Sequence, residues 1–121
     1  MPALQVYHEI LPDSYLLILA ENDELPEEVP LAKLLRQAAN SGKAYVWVDC
    51  SHIHRLSHQA IGLLRKYYLQ LRRRHIPLVL CHLDESLQQL FRQLPAASQP
   101  PIVPTLLDAD HYCHAGRSHR S

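Results

Sequence analysis

Glycine is scarce, with three residues in 121. A glycine-rich phosphate cradle, which needs several residues free to take positive φ, is therefore not expected. Cysteine is scarce as well. Cys50, Cys81 and Cys113 are odd in number and show no CxxC spacing. Cys50 and Cys81 sit within or at the end of apolar runs. They read as buried free thiols of a reducing compartment rather than as a disulfide framework. Net charge is absent too: 12 Lys+Arg balance 12 Asp+Glu, so no global field draws the chain to nucleic acid or to an anionic membrane. Long apolar runs are missing. The longest, Tyr15 to Ala20, is far shorter than a bilayer span. Met1 to Ile10 contains Glu9 and no basic residue, so no secretory leader is read there. Neither nucleic-acid binding nor direct membrane insertion is expected, and the expected location is cytoplasmic.

What remains is an ordinary globular composition, 47% hydrophobic and 20% charged, at a length that suits one core. We expect a single domain over residues 1–112 and a disordered polar tail over 113–121. The neutral sum conceals segregation. Residues 1–30 hold Glu9, Asp13, Glu21, Asp23, Glu24, Glu27 and Glu28 with no Lys or Arg, whereas residues 50–83 hold Arg55, Arg65, Lys66, Arg72, Arg73 and Arg74 with no acid. Two solvated surfaces of one domain would explain this; so would a basic face that docks a partner. Nine histidines make the charge balance sensitive to pH just below neutrality.

Periodicity sets out the elements. Leu4 to Ile10 and Tyr15 to Ala20 read as strands joined by the turn Leu11-Pro12-Asp13-Ser14, a hairpin. The acidic stretch from Glu21 to Pro30 reads as a loop or a frayed helix entry, with Pro30 suited to the first turn of a helix carrying Leu31, Leu34, Leu35 and Ala38. Asn40-Ser41-Gly42 ends that helix. Ala44 to Asp49 is apolar on both parities, the pattern of a central strand. Ser57 is placed to cap a long helix reaching Arg74, with Ala60, Ile61, Leu64, Tyr67, Tyr68 and Leu71 as its stripe. Ile76 to Cys81 reads as a buried strand. Asp84 caps a third helix with Leu87, Leu90, Phe91 and Leu94. Ile102 to Leu107 suggests a short edge strand and Asp108 to Tyr112 a helical turn. Strand–helix–strand crossovers imply parallel pairing.

Val46-Trp47-Val48-Asp49-Cys50-Ser51, then Ser57-His58-Gln59-Ala60-Ile61-Gly62-Leu63-Leu64, then Arg72-Arg73-Arg74-His75-Ile76-Pro77-Leu78-Val79-Leu80 together resemble the STAS domain of anti-sigma-factor antagonists and sulphate-transporter tails. That family shows a strand ending "D-L-S", a helix start "D-S-S-G-L-G-x-L-L", and an "R-R-x-G" helix end before a strand "L-x-L". The element order agrees over roughly residues 4–107. The resemblance implies an α/β fold: a mixed sheet of four to five strands with three to four helices packed on one side. It further implies a bacterial signal-transduction module that works by partner switching and is not an enzyme. In phosphoregulated members a serine or threonine at this helix start accepts phosphate. Here those positions are His58 and Gln59, and Ser57 stands at the aspartate. Ser57 is thus either a plain N-cap or, as the one hydroxyl left at the helix start, a phosphoacceptor.

Partner contacts are expected from the loop after Asp49 and from the basic helix, at Ser51, His52, His54, Ser57, His58, Gln59 and Arg65. The partners implied are an anti-sigma-factor-type serine kinase, another STAS protein or a transporter subunit. A homodimer through Tyr15–Ala20 or another edge is a further option. His52, His54 and His58 crowd one loop, and His111, Cys113 and His114 form a second cluster. Neither spacing matches paired zinc ligands, so no metal or other cofactor is expected. A ligand- or metal-sensing histidine loop is kept as the alternative, along with a charge-sensitive interface. No nucleophile elbow, P-loop or carboxylate pair is present. Asp49 stands alone at a strand end, and a Cys50/His52 dyad would require two neighbours to turn toward one another.

Overall fold

The structure, a computed structural model, describes residues 3–22 and 31–118. The acidic loop expected before the first helix lies mostly outside the described residues, as does the expected role of Pro30. Strands β1 (Ala3–Ile10) and β2 (Ser14–Asn22) form the antiparallel hairpin, with Ile10 opposite Tyr15. The Leu11 N–H donates to the Ser14 carbonyl at 2.9 Å and closes the turn. Helix α1 (Leu31–Ala39) leads to β3 (Tyr45–His52), α2 (His58–Arg73) to β4 (Leu78–Cys81), and α3 (Glu85–Arg92) to β5 (Ile102–Val103). The sheet order is β1-β2-β3-β4-β5, parallel from β2 onward.

That order explains the layering. Each crossover steps one strand further in the same direction, so crossovers of one hand place their helices on the same face. Leu34, Leu35 and Ala38 of α1, Ile61, Leu64 and Leu71 of α2, and Leu87 and Phe91 of α3 pack there against Leu17, Leu19, Val46, Val48, Leu78 and Leu80. Three helices on one side is the expected arrangement. The other face carries Leu16, Tyr45, Trp47 and Val79, and leaving such side chains in water would forfeit about 1.5–3 kcal/mol each. Helix α4 (Leu106–Ser118) covers it with Leu106, Ala109 and Cys113, so the sheet is sandwiched.

Two expectations at the C-terminal end are therefore corrected. The edge strand is only Ile102–Val103, because Pro104 cannot continue the ladder. The expected helical turn is a 13-residue helix, and residue 113 belongs to the fold rather than to a disordered tail. Cys113 is buried, and the Trp47 indole N–H points to its Sγ at 3.5 Å. The dimer route through Tyr15–Ala20 is corrected too: β2 lies between β1 and β3, so β1 and β5 are the edges.

Candidate functional site

The loop between β3 and α2 begins where β3 emerges from the core. Both faces of that strand are buried up to Cys50, after which Ser51 and His52 are exposed. The Ser51 N–H donates to Asp49 Oδ1 at 2.9 Å, turning the chain. Ile53 plugs back into the core at 1% exposure, which leaves His54 and Arg55 outward. Ser57 caps α2: its Oγ accepts from the Ala60 N–H at 3.1 Å. His58 and Gln59, the first helical residues, are exposed. Ser51, His52, His54, Ser57, His58, Gln59 and Arg65 thus all lie at the surface, and the loop brings the first six of them to one end of the sheet.

The three loop histidines do not converge into a ligand set. His54 turns instead to the start of α3, with Nδ1 at 2.9 Å from Asp84 Oδ2, while its backbone N–H donates to Glu21 Oε1 at 2.8 Å. Asp84 Oδ1 meanwhile accepts from the Leu87 N–H at 2.9 Å as the cap of α3. One exposed histidine therefore ties together β2, the loop and α3. The Asp84 hydrogen bond raises the His54 pKa above the ordinary imidazole value. The Leu87 N–H first, and then His54, hold the Asp84 carboxyl below the ordinary carboxylate value. The second histidine cluster also separates. Cys113 faces Trp47, His111 is exposed, and His114 lies 2.9 Å from Asp110 and 3.8 Å from Asp13. Nor is there a Cys50/His52 dyad, since Cys50 is in the helix-side core, where burial raises its pKa, and His52 is exposed.

The outward face of α2 is basic. Gly62, Arg65, Lys66, Leu69, Gln70 and Arg73 line a shallow depression. A Cβ built on Gly62 would meet nothing within 4 Å. Among the described residues, every ion pair involves a histidine, and no Lys or Arg lies within 4.0 Å of a carboxylate. Where the acidic stretch is described, Glu21 meets the basic stretch only through the His54 backbone N–H, not through a Lys or Arg. Arg72 differs from its neighbours: it donates to the Ala97 carbonyl at 3.0 Å and lies over the Tyr68 ring at 5.4 Å, which makes it a structural residue.

One cluster was not legible in the sequence. Asp49 pairs with Cys81 across β3 and β4, and with His82 the three place a donor atom each within 4.8 Å of one another. Asp49 is 9% exposed and Cys81 is fully buried. Burial, and then the Asp49 charge, pushes the Cys81 thiol up to about 12. His82 takes a left-handed backbone, φ 59°. Nothing in the sequence pattern aligns residues 49 and 81; only the strand register does so.

The model of the STAS domain family matches residues 30–109, from the start of α1 into α4. No curated protein sequence matches the chain. Among solved structures, the chain is similar to the NMR structure of the protein TM1081, with a TM-score of 0.70 and 11% identity over 88% of this chain and 86% of that one. At that identity the likeness concerns the fold, the five-stranded mixed sheet with four helices described above. With the family's motifs falling on β3, on the start of α2 and on the passage into β4, this chain belongs to the STAS domain family.

Proposed function

We propose that the chain is a protein-interaction module of the anti-sigma-factor-antagonist kind, which binds a regulatory partner through the loop after Asp49 and the exposed face of α2. STAS domains are in general interaction modules rather than enzymes. The observation that carries the proposal is the outward face of α2, where Arg65, Lys66 and Arg73 stand beside Gly62 with no carboxylate partner among the described residues. Mid-helix glycine costs about 1 kcal/mol relative to alanine. No neighbour among the described residues requires Gly62, so close approach by a partner is the reason we assign to it. The partner is acidic at this contact and is of a class the resemblance implies: a serine kinase of anti-sigma type, another STAS protein or a transporter subunit.

The module works without the usual phosphorylation switch. The two positions that carry hydroxyls in phosphoregulated members are His58 and Gln59, and the Ser57 hydroxyl is occupied in capping α2. His52, Ser57, His58 and Gln59 then act as contact residues, with Ser51, His54 and Arg65 flanking them. A cytoplasmic setting is consistent with three buried free cysteines, and among the described residues no helix is long and apolar enough to cross a membrane. The test is recovery of partners from the native host on the wild-type chain, with intact mass measured on the recovered protein. One partner bound to unphosphorylated chain is the expected result. Binding that tracks an added phosphate at Ser57 would overturn the constitutive reading.

A further inference from the structure

We propose that Asp49, Cys81 and His82 form a binding site for a borderline transition-metal ion, Zn(II) in the first place. The three offer one carboxylate oxygen, one sulfur and one imidazole nitrogen, all within 4.8 Å of one another. Zinc bonds of about 2.0–2.3 Å set tetrahedral donors roughly 3.3–3.8 Å apart. With every separation at or below 4.8 Å, closing the site needs a contraction of at most about 1.5 Å. The donor set selects the ion: calcium and magnesium take oxygen shells, whereas a mixed nitrogen, oxygen and sulfur set suits zinc and its neighbours. Three protein ligands leave one tetrahedral position for water or a small ligand.

The surroundings are built as such a site is built. Asp49 and Cys81 are adjacent on neighbouring parallel strands, so the ladder itself fixes their spacing. The Ser51 N–H on Asp49 Oδ1 orients the carboxylate, as an outer hydrogen bond orients a ligand. The His82 N–H donates to the Pro104 carbonyl at 3.2 Å, which anchors the left-handed turn that carries the imidazole. The cluster lies at the C-terminal end of β4 and beside it in the C-terminal half of β3, toward the edge where parallel sheets place their sites. It shares no ligand with the His52, His54 and His58 loop and does not depend on partner docking. On binding, the Cys81 S–H bond breaks, its proton passes to solvent and the sulfur–metal bond forms, with no change of oxidation state.

The experiment titrates the untagged full chain with Co(II) at about pH 7.5, followed by Zn(II) displacement. One equivalent of Co(II) with a thiolate-to-cobalt charge-transfer band, removed by one equivalent of Zn(II), is expected. Cys81→Ser loses the band. His82→Gly keeps the fold, because glycine suits φ 59°, and weakens binding by at least about tenfold. Replacing His52, His54 and His58 together with Asn leaves band and affinity unchanged. The proposal is overturned if wild type shows no band, if the band survives in Cys81→Ser, if His82→Gly binds as tightly as wild type, or if binding vanishes in the triple variant.

Discussion

At the C-terminus of α2 the backbone passes through φ 60° at His75. The His75 N–H donates to the Arg72 carbonyl at 3.0 Å and the Ile76 N–H to the Leu71 carbonyl at 2.9 Å, the paired bonds of a Schellman ending in which glycine is the usual residue. Histidine at that position carries a Cβ penalty of about 1–2 kcal/mol, which the greater chain entropy of unfolded glycine would partly offset. His75→Gly is expected to raise unfolding stability by about 1 kcal/mol in urea titration, and a loss of stability would count against this account of the turn. His54 and Asp84 make a second claim at this scale. The folded pKa of His54 is raised, so its contribution is complete below about 6.5 and is lost as pH rises through the folded value. The folded pKa of Asp84 is lowered, so its contribution is present above about 3.9 and is lost as pH falls through the folded value. The melting temperature of wild type should exceed that of His54→Gln most clearly at about pH 5–6, between those limits. A gap that does not narrow toward alkaline pH would contradict the pairing. Both groups are exposed, so the effect is small.

At the scale of elements, α2 bears a glycine that its own packing does not need. Gly62→Ala should stabilise the isolated chain by about 1 kcal/mol while weakening partner recovery, because the new methyl group stands on the proposed contact face. Stabilisation with undiminished binding would remove Gly62 from the interface. Helix α4 shows what local signals can hide. Its start is a capping box in which the Asp108 N–H donates to Thr105 Oγ1 at 3.2 Å and the Thr105 N–H donates to Asp108 Oδ2 at 3.2 Å. Thr105→Ala should cost about 1 kcal/mol in thermal or urea unfolding, and a neutral result would mean that tertiary packing alone sets the helix start. The spacing Thr105-x-x-Asp108 is present in the sequence, but it directly follows the apolar Ile102-Val103 pair and Pro104, a local pattern that equally fits the end of an edge strand. The stripe of Leu106, Ala109 and Cys113 is too narrow to announce a helix. The wide stripes of α1 and α2 and the doubly apolar β3 were legible because burial demands many large side chains there. The capping role of Ser57 was legible for a local reason, since it needs only its own helix.

At the scale of the molecule, legibility followed the range of the interaction. Element order and the direction of the crossovers implied a mixed sheet with helices on one face, and three helices are there. The fourth covers the opposite face, because β5 is last in the sheet and no further strand constrains where the chain returns. The candidate site divided in the same way. The loop after Asp49 was legible as a surface, since Ser51, His52 and His54 follow a buried strand directly. The contact of His54 with Asp84, the hold of Arg72 on Ala97 and the meeting of Asp49 with Cys81 and His82 were not legible, because each joins residues at least 25 positions apart. Charge segregation was legible in the sequence, but four of the seven acids in residues 1–30 lie outside the described residues; the structure adds that Arg65, Lys66 and Arg73 have no carboxylate partner among the described residues. Arg65 and Arg73 are the informative pair, whereas Arg72 serves the fold. Partner recovery on the double variant Arg65→Glu/Arg73→Glu, compared with wild type in the same native-host extract at matched fold stability and graded salt, tests the docking face most directly. The account predicts that the partner is lost from the variant and that wild-type recovery falls with rising salt; equal recovery of the same partner by both chains at every salt concentration would contradict it.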